Sequence, residues 1–241
     1  MSVKKGIIVV FLGVDGAGKS TTSEVVKSRL EKMDTVKFAE AYMGPWGNLQ
    51  SPLTRFSYNL GLFPAKESWG NLIREKKKDS TKVKYGYFYL YNKWIRNLIK
   101  GSLYYFAVYA EFIYRYFKNV RGNLALGKIV LADRYIYDLR YIYKKREIID
   151  FERLRRWVVC NFPQPDLIVF LWNEADIIIS RKAQLDKKEI ELFQIFYDKV
   201  LNDISIIGDT EVLKLKTDKS PQELGNQIVE KIMALYGSKN K

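Results

Sequence analysis

The sequence predicts an α/β fold: a central parallel sheet flanked by helices on both faces, with a short lid. Three observations carry this. Apolar runs of strand length recur along the chain (Ile7 to Leu12, Lys128 to Leu131 after its leading lysine, Leu167 to Trp172), as in strands buried on both faces. Segments of helical period separate them, which is the alternation that makes a parallel sheet. The first run leads directly into Gly13-Val14-Asp15-Gly16-Ala17-Gly18-Lys19-Ser20, and a helix-like segment follows.

That stretch reads G-x-x-x-x-G-K-S, the phosphate-binding loop of nucleoside triphosphate enzymes. Gly13, Gly16 and Gly18 let the backbone bend without side-chain clashes. Loop amides and the helix N-terminus then converge on phosphate oxygens. Lys19 brings a positive charge to the outer phosphates, and the Ser20 hydroxyl is a candidate Mg²⁺ ligand.

The remaining elements follow in order. Thr21 to Met33 is a helix, with Val25, Val26 and Leu30 on one face. Val36 to Tyr42 is a strand, ended by a turn at Met43-Gly44-Pro45-Trp46-Gly47. Ser51 to Leu62 is a helix carrying Arg55. The stretch from Pro64 to Lys84 is basic, poor in apolar residues, and reads as a solvated loop or frayed helix. Tyr85 to Val120 is aromatic and helical, with a stripe through Ile95, Ile99, Leu103, Phe106, Ala110, Ile113, Phe117 and Val120. A break falls near Gly101-Ser102. Together these form a basic and aromatic region over residues 64–120.

After the strand at Lys128 to Leu131 comes Asp133-Arg134-Tyr135. An acidic residue at the carboxyl end of a buried strand is where a Mg²⁺-directing group belongs in a phosphate-loop fold. Arg140 to Trp157 is a basic helix bounded by Pro163 and Pro165. Leu167 to Trp172 is a strand, Glu174 to Lys182 a helix, and Glu189 to Ile206 another, with a polar lid over residues 181–190. Glu211 to Leu215 alternates and reads as an edge strand. Ser220-Pro221-Gln222-Glu223 has capping-box spacing and opens a last helix, which Gly237 is expected to end.

Composition sets limits. The chain has 241 residues, 47% hydrophobic and 28% charged, enough for one sizeable domain over 1–241. No histidine is present, which excludes a Ser-His-Asp triad, a histidine metal site and a histidine base. A net charge of +14 favours anionic partners. The single Cys160 excludes an intramolecular disulfide and suits a reducing compartment. No secretory signal is read at Met1-Ser2-Val3-Lys4-Lys5, and no run is long and apolar enough to span a bilayer, so a cytoplasmic location is expected.

Taken together, several segments resemble the thymidylate kinases. Gly13 to Thr21 is similar to that family's phosphate loop, including Asp15. Gly127 to Tyr135 is similar to its strand ending in Asp-Arg-Tyr, and Pro165 to Leu171 to its next strand. Leu185 to Glu191 resembles its lid segment, often Leu-Asp-Arg-x-Glu-x-Glu, and Phe196 also falls in place. The resemblance spans nearly the whole chain. It implies a P-loop kinase fold, ATP and Mg²⁺ as cofactors, and transfer of the γ-phosphoryl group to a nucleoside monophosphate, dTMP to dTDP in the first instance. It also implies a homodimer packed through helices.

Site roles come from the same resemblance. Lys19 and the loop residues Gly13, Asp15, Gly16, Ala17, Gly18, Ser20 and Thr21 hold ATP. Ser20 and Asp133 direct Mg²⁺. Arg134 reaches the phosphates, Asp15 contacts or orders the acceptor, and Arg181, with Lys182 or Lys187, closes over the transferring group. Position 17, Arg in some members, is Ala here, so the lid supplies the mobile charge.

The acceptor side departs from the family. An Arg expected after the second strand is missing from Tyr42 to Gly47, and Arg55 is the candidate substitute. An Arg and a base-reading Gln are expected upstream of Asp-Arg-Tyr, where counting back gives Phe112 and Tyr114, with Arg115 nearby. Asp138 stands near a family Ser. Phe106, Tyr109, Phe112 and Tyr135 are candidates to pack against the acceptor. A kinase of this fold acting on another nucleotide or a non-nucleotide acceptor is the second reading. A basic module binding nucleic acid or membrane ranks last.

Overall fold

The computed structural model describes residues 5–44, 51–52, 106, 108–138, 152–182 and 186–240. Five strands form one sheet: β1 (Ile7–Leu12), β2 (Phe38–Tyr42), β3 (Ile129–Asp133), β4 (Leu167–Trp172) and β5 (Glu211–Lys216). Their order is β2-β3-β1-β4-β5 and every pairing is parallel. The expected fold class is the one observed. β1 is central because it has no polar side chain to hydrate; all six of its residues are buried.

Side-chain alternation divides the core into two layers. Ile8, Val10 and Leu12 point to one face with Val130, Ala132, Ile168 and Phe170. Ile7, Val9 and Phe11 point to the other with Ile129, Leu131, Leu167, Val169 and Leu171. The second face is covered by α1 (Lys19–Glu31), through Val26 and Leu30. The terminal helix, Pro221–Lys239, covers it through Ile228, Val229 and Ile232. The two helices touch closely at Gly225, where an added Cβ would lie 2.5 Å from a Val25 methyl.

The first face is covered by a helix (α2) running through 108–115, a π-helical stretch Tyr116–Arg121 and a last turn Gly122–Ala125. Also on this face are α3 (Glu152–Asn161) and part of α5 (Lys187–Ile207); α4 (Ala175–Arg181) precedes α5, and the terminal helix is α6.

Boundaries differ by a few residues from expectation, except in two places with a physical cause. The aromatic stripe has a partly different phase: Val120 is buried as expected, but Phe106 and Phe117 are exposed, while Val108 and Phe112 are buried. The buried face of α2 also carries Glu111 and Arg115, ion-paired at 2.7 Å, which counting apolar residues cannot find. The π-helical stretch then adds a residue per turn and shifts the phase again. Gly237 lies inside α6, which runs to Lys239, since the capping amide of Asn240 donates to the Gly237 carbonyl. The capping box at Ser220 and Glu223 is as read, and β5 is at the sheet edge. Nearly all of the Ser51 to Leu62 helix, Arg55, the break near Gly101, most of residues 64–120, residues 140–151 of the expected basic helix and residues 183–185 of the lid lie outside the described residues.

Candidate active site

The site grows from the carboxyl ends of β1 and β3, adjacent strands in register with Phe11 opposite Asp133. Chain connections leave these two strands toward opposite edges of the sheet, which opens a crevice there. The phosphate loop crosses it. Gly13, Gly16 and Gly18 have φ of 144°, 90° and 89°, which side-chain-bearing residues rarely adopt. At Gly13 a Cβ would sit 2.2 Å from the Leu171 carbonyl oxygen, so the loop can cross β4 only with glycine there.

Apolar packing holds the loop from beneath. Val14 and Ala17 are buried with Ala175 and Ile178 of α4 and Ile190 of α5. Ala17 is therefore part of a small core under the loop.

Above the loop is a cavity of about 480 Å³, lined by Lys19, Ser20, Asp133, Arg134, Arg181 and Lys182 among others. Lys19 is 8% exposed and its ammonium donates to the Gly13 and Val14 carbonyls at 2.8 and 2.9 Å. Asp15 is a further 3.6 Å contact. Burial first, and then the Arg134 charge, bring the Lys19 pKa down to about 8, against attraction from Asp15, Asp138 and Asp133.

Arg134 is the hub of the polar network. Its backbone is left-handed at φ 63°, uncommon for a residue other than glycine. One guanidinium nitrogen donates to Asp138 Oδ2 at 3.0 Å and another to Asp15 Oδ1. Burial opposes its charge, but Asp138 and Asp15 outweigh that and raise its pKa. Asp15 is also within 3.8 Å of Lys182. Burial pushes the Asp15 carboxyl up, yet Arg134, Lys19 and Lys182 together hold it below the ordinary value. Asp133 opens onto the cavity, and its pKa is raised because desolvation exceeds the pull of Arg134 and Lys19.

Arg181, at the end of α4, is held on the loop after β5. Its guanidinium donates to the Thr217 hydroxyl at 3.2 Å and the Thr217 carbonyl at 3.0 Å. Buried Asn173 donates to the same two oxygens at 3.1 and 2.8 Å. Lys187 instead pairs with Asp176, at 2.7 Å, on the protein surface.

The structure thus gathers Asp15, Gly16, Gly18, Lys19, Ser20, Thr21, Asp133, Arg134 and Arg181 around one cavity. Four of the acceptor-side candidates lie away from this cavity, and the fifth, Arg55, is outside the described residues. Phe106 is 64% exposed. Tyr109 packs against Trp157 and Phe162, and Phe112 is edge-on to Phe162. Tyr135 is buried, and its hydroxyl donates to the Pro163 carbonyl at 2.7 Å. None of the four lines the cavity. Arg115 donates to the Gly44 carbonyl at 2.5 Å and pairs with Glu111.

Sequence reasoning missed Tyr197, whose hydroxyl donates to Asp138 Oδ1 at 2.5 Å, and gave Asp138 no role. Two polar side chains 59 positions apart leave no local signal. It also missed Thr217 and Asn173, which are single polar residues at strand ends.

The residues present fit the groups that the loop implies. Three glycines at positive φ let the loop turn over the cavity floor, and Ser20 and Asp133 offer hard oxygen donors on the same cavity, as Mg²⁺ requires. The fold and this site define an α/β phosphate-loop protein. No protein-family model matches the chain. The chain is 24% identical over 241 residues to a thymidylate kinase of Leptospira borgpetersenii serovar Hardjo-bovis (strain L550), covering 99% of both chains. Among the described residues no helix is long and apolar enough to cross a membrane.

Proposed function

We propose that this chain is an ATP-dependent phosphotransferase whose acceptor is a nucleoside monophosphate, dTMP in the first instance. The observation that carries the reading is the convergence of Lys19, Arg134 and Arg181 on a cavity floored by the phosphate loop. Full-length similarity to a thymidylate kinase supports the same class at a coarse level and names the acceptor to try first.

The chemistry asks little of the protein beyond position and charge. A phosphate monoester has a second pKa near about 6, so it is already an anionic nucleophile at neutral pH. No general base is needed, and a chain without histidine can do this. The task is to bring two anions together and neutralise the charge on the transferring group. Loop amides and Lys19 hold the donor phosphates. Arg134, at the end of β3, lines the same cavity and in this reading meets the acceptor phosphate. Arg181 reaches in from the end of α4 and Lys182 follows it. Ser20 and Asp133 would hold Mg²⁺, which when bound neutralises phosphate charge. A panel assay tests this: ADP release measured with ATP, Mg²⁺ and each common nucleoside monophosphate. Stimulation by dTMP or another member supports the reading, and no stimulation by any of them refutes it.

A second acceptor class is favoured by one observation. Arg115, the arginine nearest the family's acceptor-side position, is 1% exposed and committed to Glu111 and the Gly44 carbonyl. An acceptor other than dTMP, nucleotide or not, fits that commitment.

A further inference from the structure

The polar chain from α5 to the phosphate loop contains two residues to which the reaction gives no task. Tyr197 is 2% exposed on α5, stacked on Phe193 at 19° between ring planes and packed on Phe170. Its hydroxyl donates to one oxygen of Asp138 at 2.5 Å. The other oxygen of Asp138 accepts from Arg134 at 3.0 Å. Asp138, 3% exposed, is thus fixed on both oxygens. Arg134 has two carboxylate partners of unequal standing. Asp138 is buried and braced. Asp15 has 41% of its side chain exposed, faces the cavity, and is shared with Lys19 and Lys182.

A phosphate oxygen entering the cavity competes with both carboxylates for the guanidinium. It can displace the exposed one, whose oxygens water can take over. Displacing the buried one would strand a charge away from water. One guanidinium nitrogen is therefore free to be handed over while the other stays where it is. The left-handed backbone of Arg134 serves the same end, because it aims the side chain along this line and such strain persists only where the surroundings over-determine it.

We infer that Asp138 and Tyr197 are positioning residues that anchor Arg134 while Asp15 yields its place on the guanidinium to a phosphate oxygen. This rests on the phosphoryl-transfer reading, in which Arg134 meets phosphate.

The test uses Tyr197→Phe in the full chain, which removes the hydroxyl and keeps the ring. Two measurements are made. The first is the nitrogen–proton NMR spectrum of the arginine guanidinium groups, with the Arg134 signals identified by their loss in Arg134→Lys. In the parent protein the terminal nitrogens of Arg134 give separate signals, because rotation is restricted, and in Tyr197→Phe they merge. The second is kinetic. With the best acceptor, Tyr197→Phe lowers kcat by about tenfold while KM for ATP stays within about twofold. In the Arg134→Lys background the same change has no further effect on kcat, because the residue being positioned is gone. A merely structural tyrosine would lower thermal stability and give additive losses. Separate Arg134 signals that persist in Tyr197→Phe, or additive kinetics, overturn the inference. If the parent protein turns over no monophosphate, the proposed function fails, and the NMR result alone decides whether the anchor exists.

Discussion

Arg181 and Thr217 are joined by two hydrogen bonds, from the guanidinium to the threonine hydroxyl at 3.2 Å and to its carbonyl at 3.0 Å. This docks the end of α4 on the loop that follows β5, at the rim of the cavity. The contact is to neutral groups, so a phosphate outbids it at modest cost. Arg181 thus lines the cavity while held on Thr217, and under the proposed phosphoryl transfer it would exchange this contact for the transferring group.

Replacing Arg181 with Ala is expected to lower kcat by about a thousandfold, with the fold and the thermal midpoint nearly unchanged. Lys in its place recovers only part, since a point charge cannot span two oxygens. Steady-state kinetics at saturating ATP check both variants. A loss confined to KM would assign Arg181 to ground-state binding instead.

Lys19 gives a pH signature. Its pKa, about 8 against an ordinary 10.5, is depressed by burial and by Arg134. Bound phosphate stabilises the charged form and raises that value. Below pH 8 the lysine is already protonated and binding takes up no proton. Above it, binding requires uptake and the affinity for ATP falls as pH climbs. Calorimetry of ATP binding at pH 8.5 in buffers of different ionisation enthalpy should show the uptake. For the protein alone the sign is opposite: the unfolded lysine holds more protons between about 8 and 10.5, so this group adds stability as pH rises through that window.

Ser20 and Asp133 line the same cavity from α1 and β3. Ser20→Ala and Asp133→Asn should each raise the Mg²⁺ concentration for half-maximal activity by at least about tenfold. Titrating activity against free Mg²⁺ at fixed ATP checks it. Unchanged half-saturation in both variants would remove them as ligands.

Gly13→Ala is expected to cost about 3 kcal/mol or more of folding stability. Its φ of 144° is one that side-chain-bearing residues rarely adopt, and the new Cβ would meet the Leu171 carbonyl oxygen at 2.2 Å, a backbone atom of interior strand β4. Denaturant unfolding measures it. A loss below 1 kcal/mol would mean that the loop can shift over β4 without harm.

The sheet and the residues that gather around the phosphate loop were legible because their signals are local. Ile7 to Leu12 is uniformly apolar, and a strand buried on both faces must be. The loop's glycines and Lys19 lie within eight consecutive positions. Asp133 could be placed because it ends an apolar run. The acceptor candidates carry no such local signal. Phe112 and Tyr135 look the same in sequence whether they stack on a ligand or fill a core, and the fold packs both against Phe162. The phase of α2 was hidden by a buried ion pair and a π-helical stretch. Tyr197, Asn173 and Thr217 act through partners far away in the chain, which only the folded arrangement brings together.

The most direct test of phosphoryl transfer to a nucleoside monophosphate follows the phosphoryl group itself. The protein is incubated with γ-labelled ATP, Mg²⁺ and dTMP, with the other common nucleoside monophosphates in parallel, and the products are separated. Label appearing in dTDP, or in another nucleoside diphosphate at a higher rate, and lost in Lys19→Ala, is the predicted result. Label remaining in ATP and inorganic phosphate with every acceptor would contradict the account.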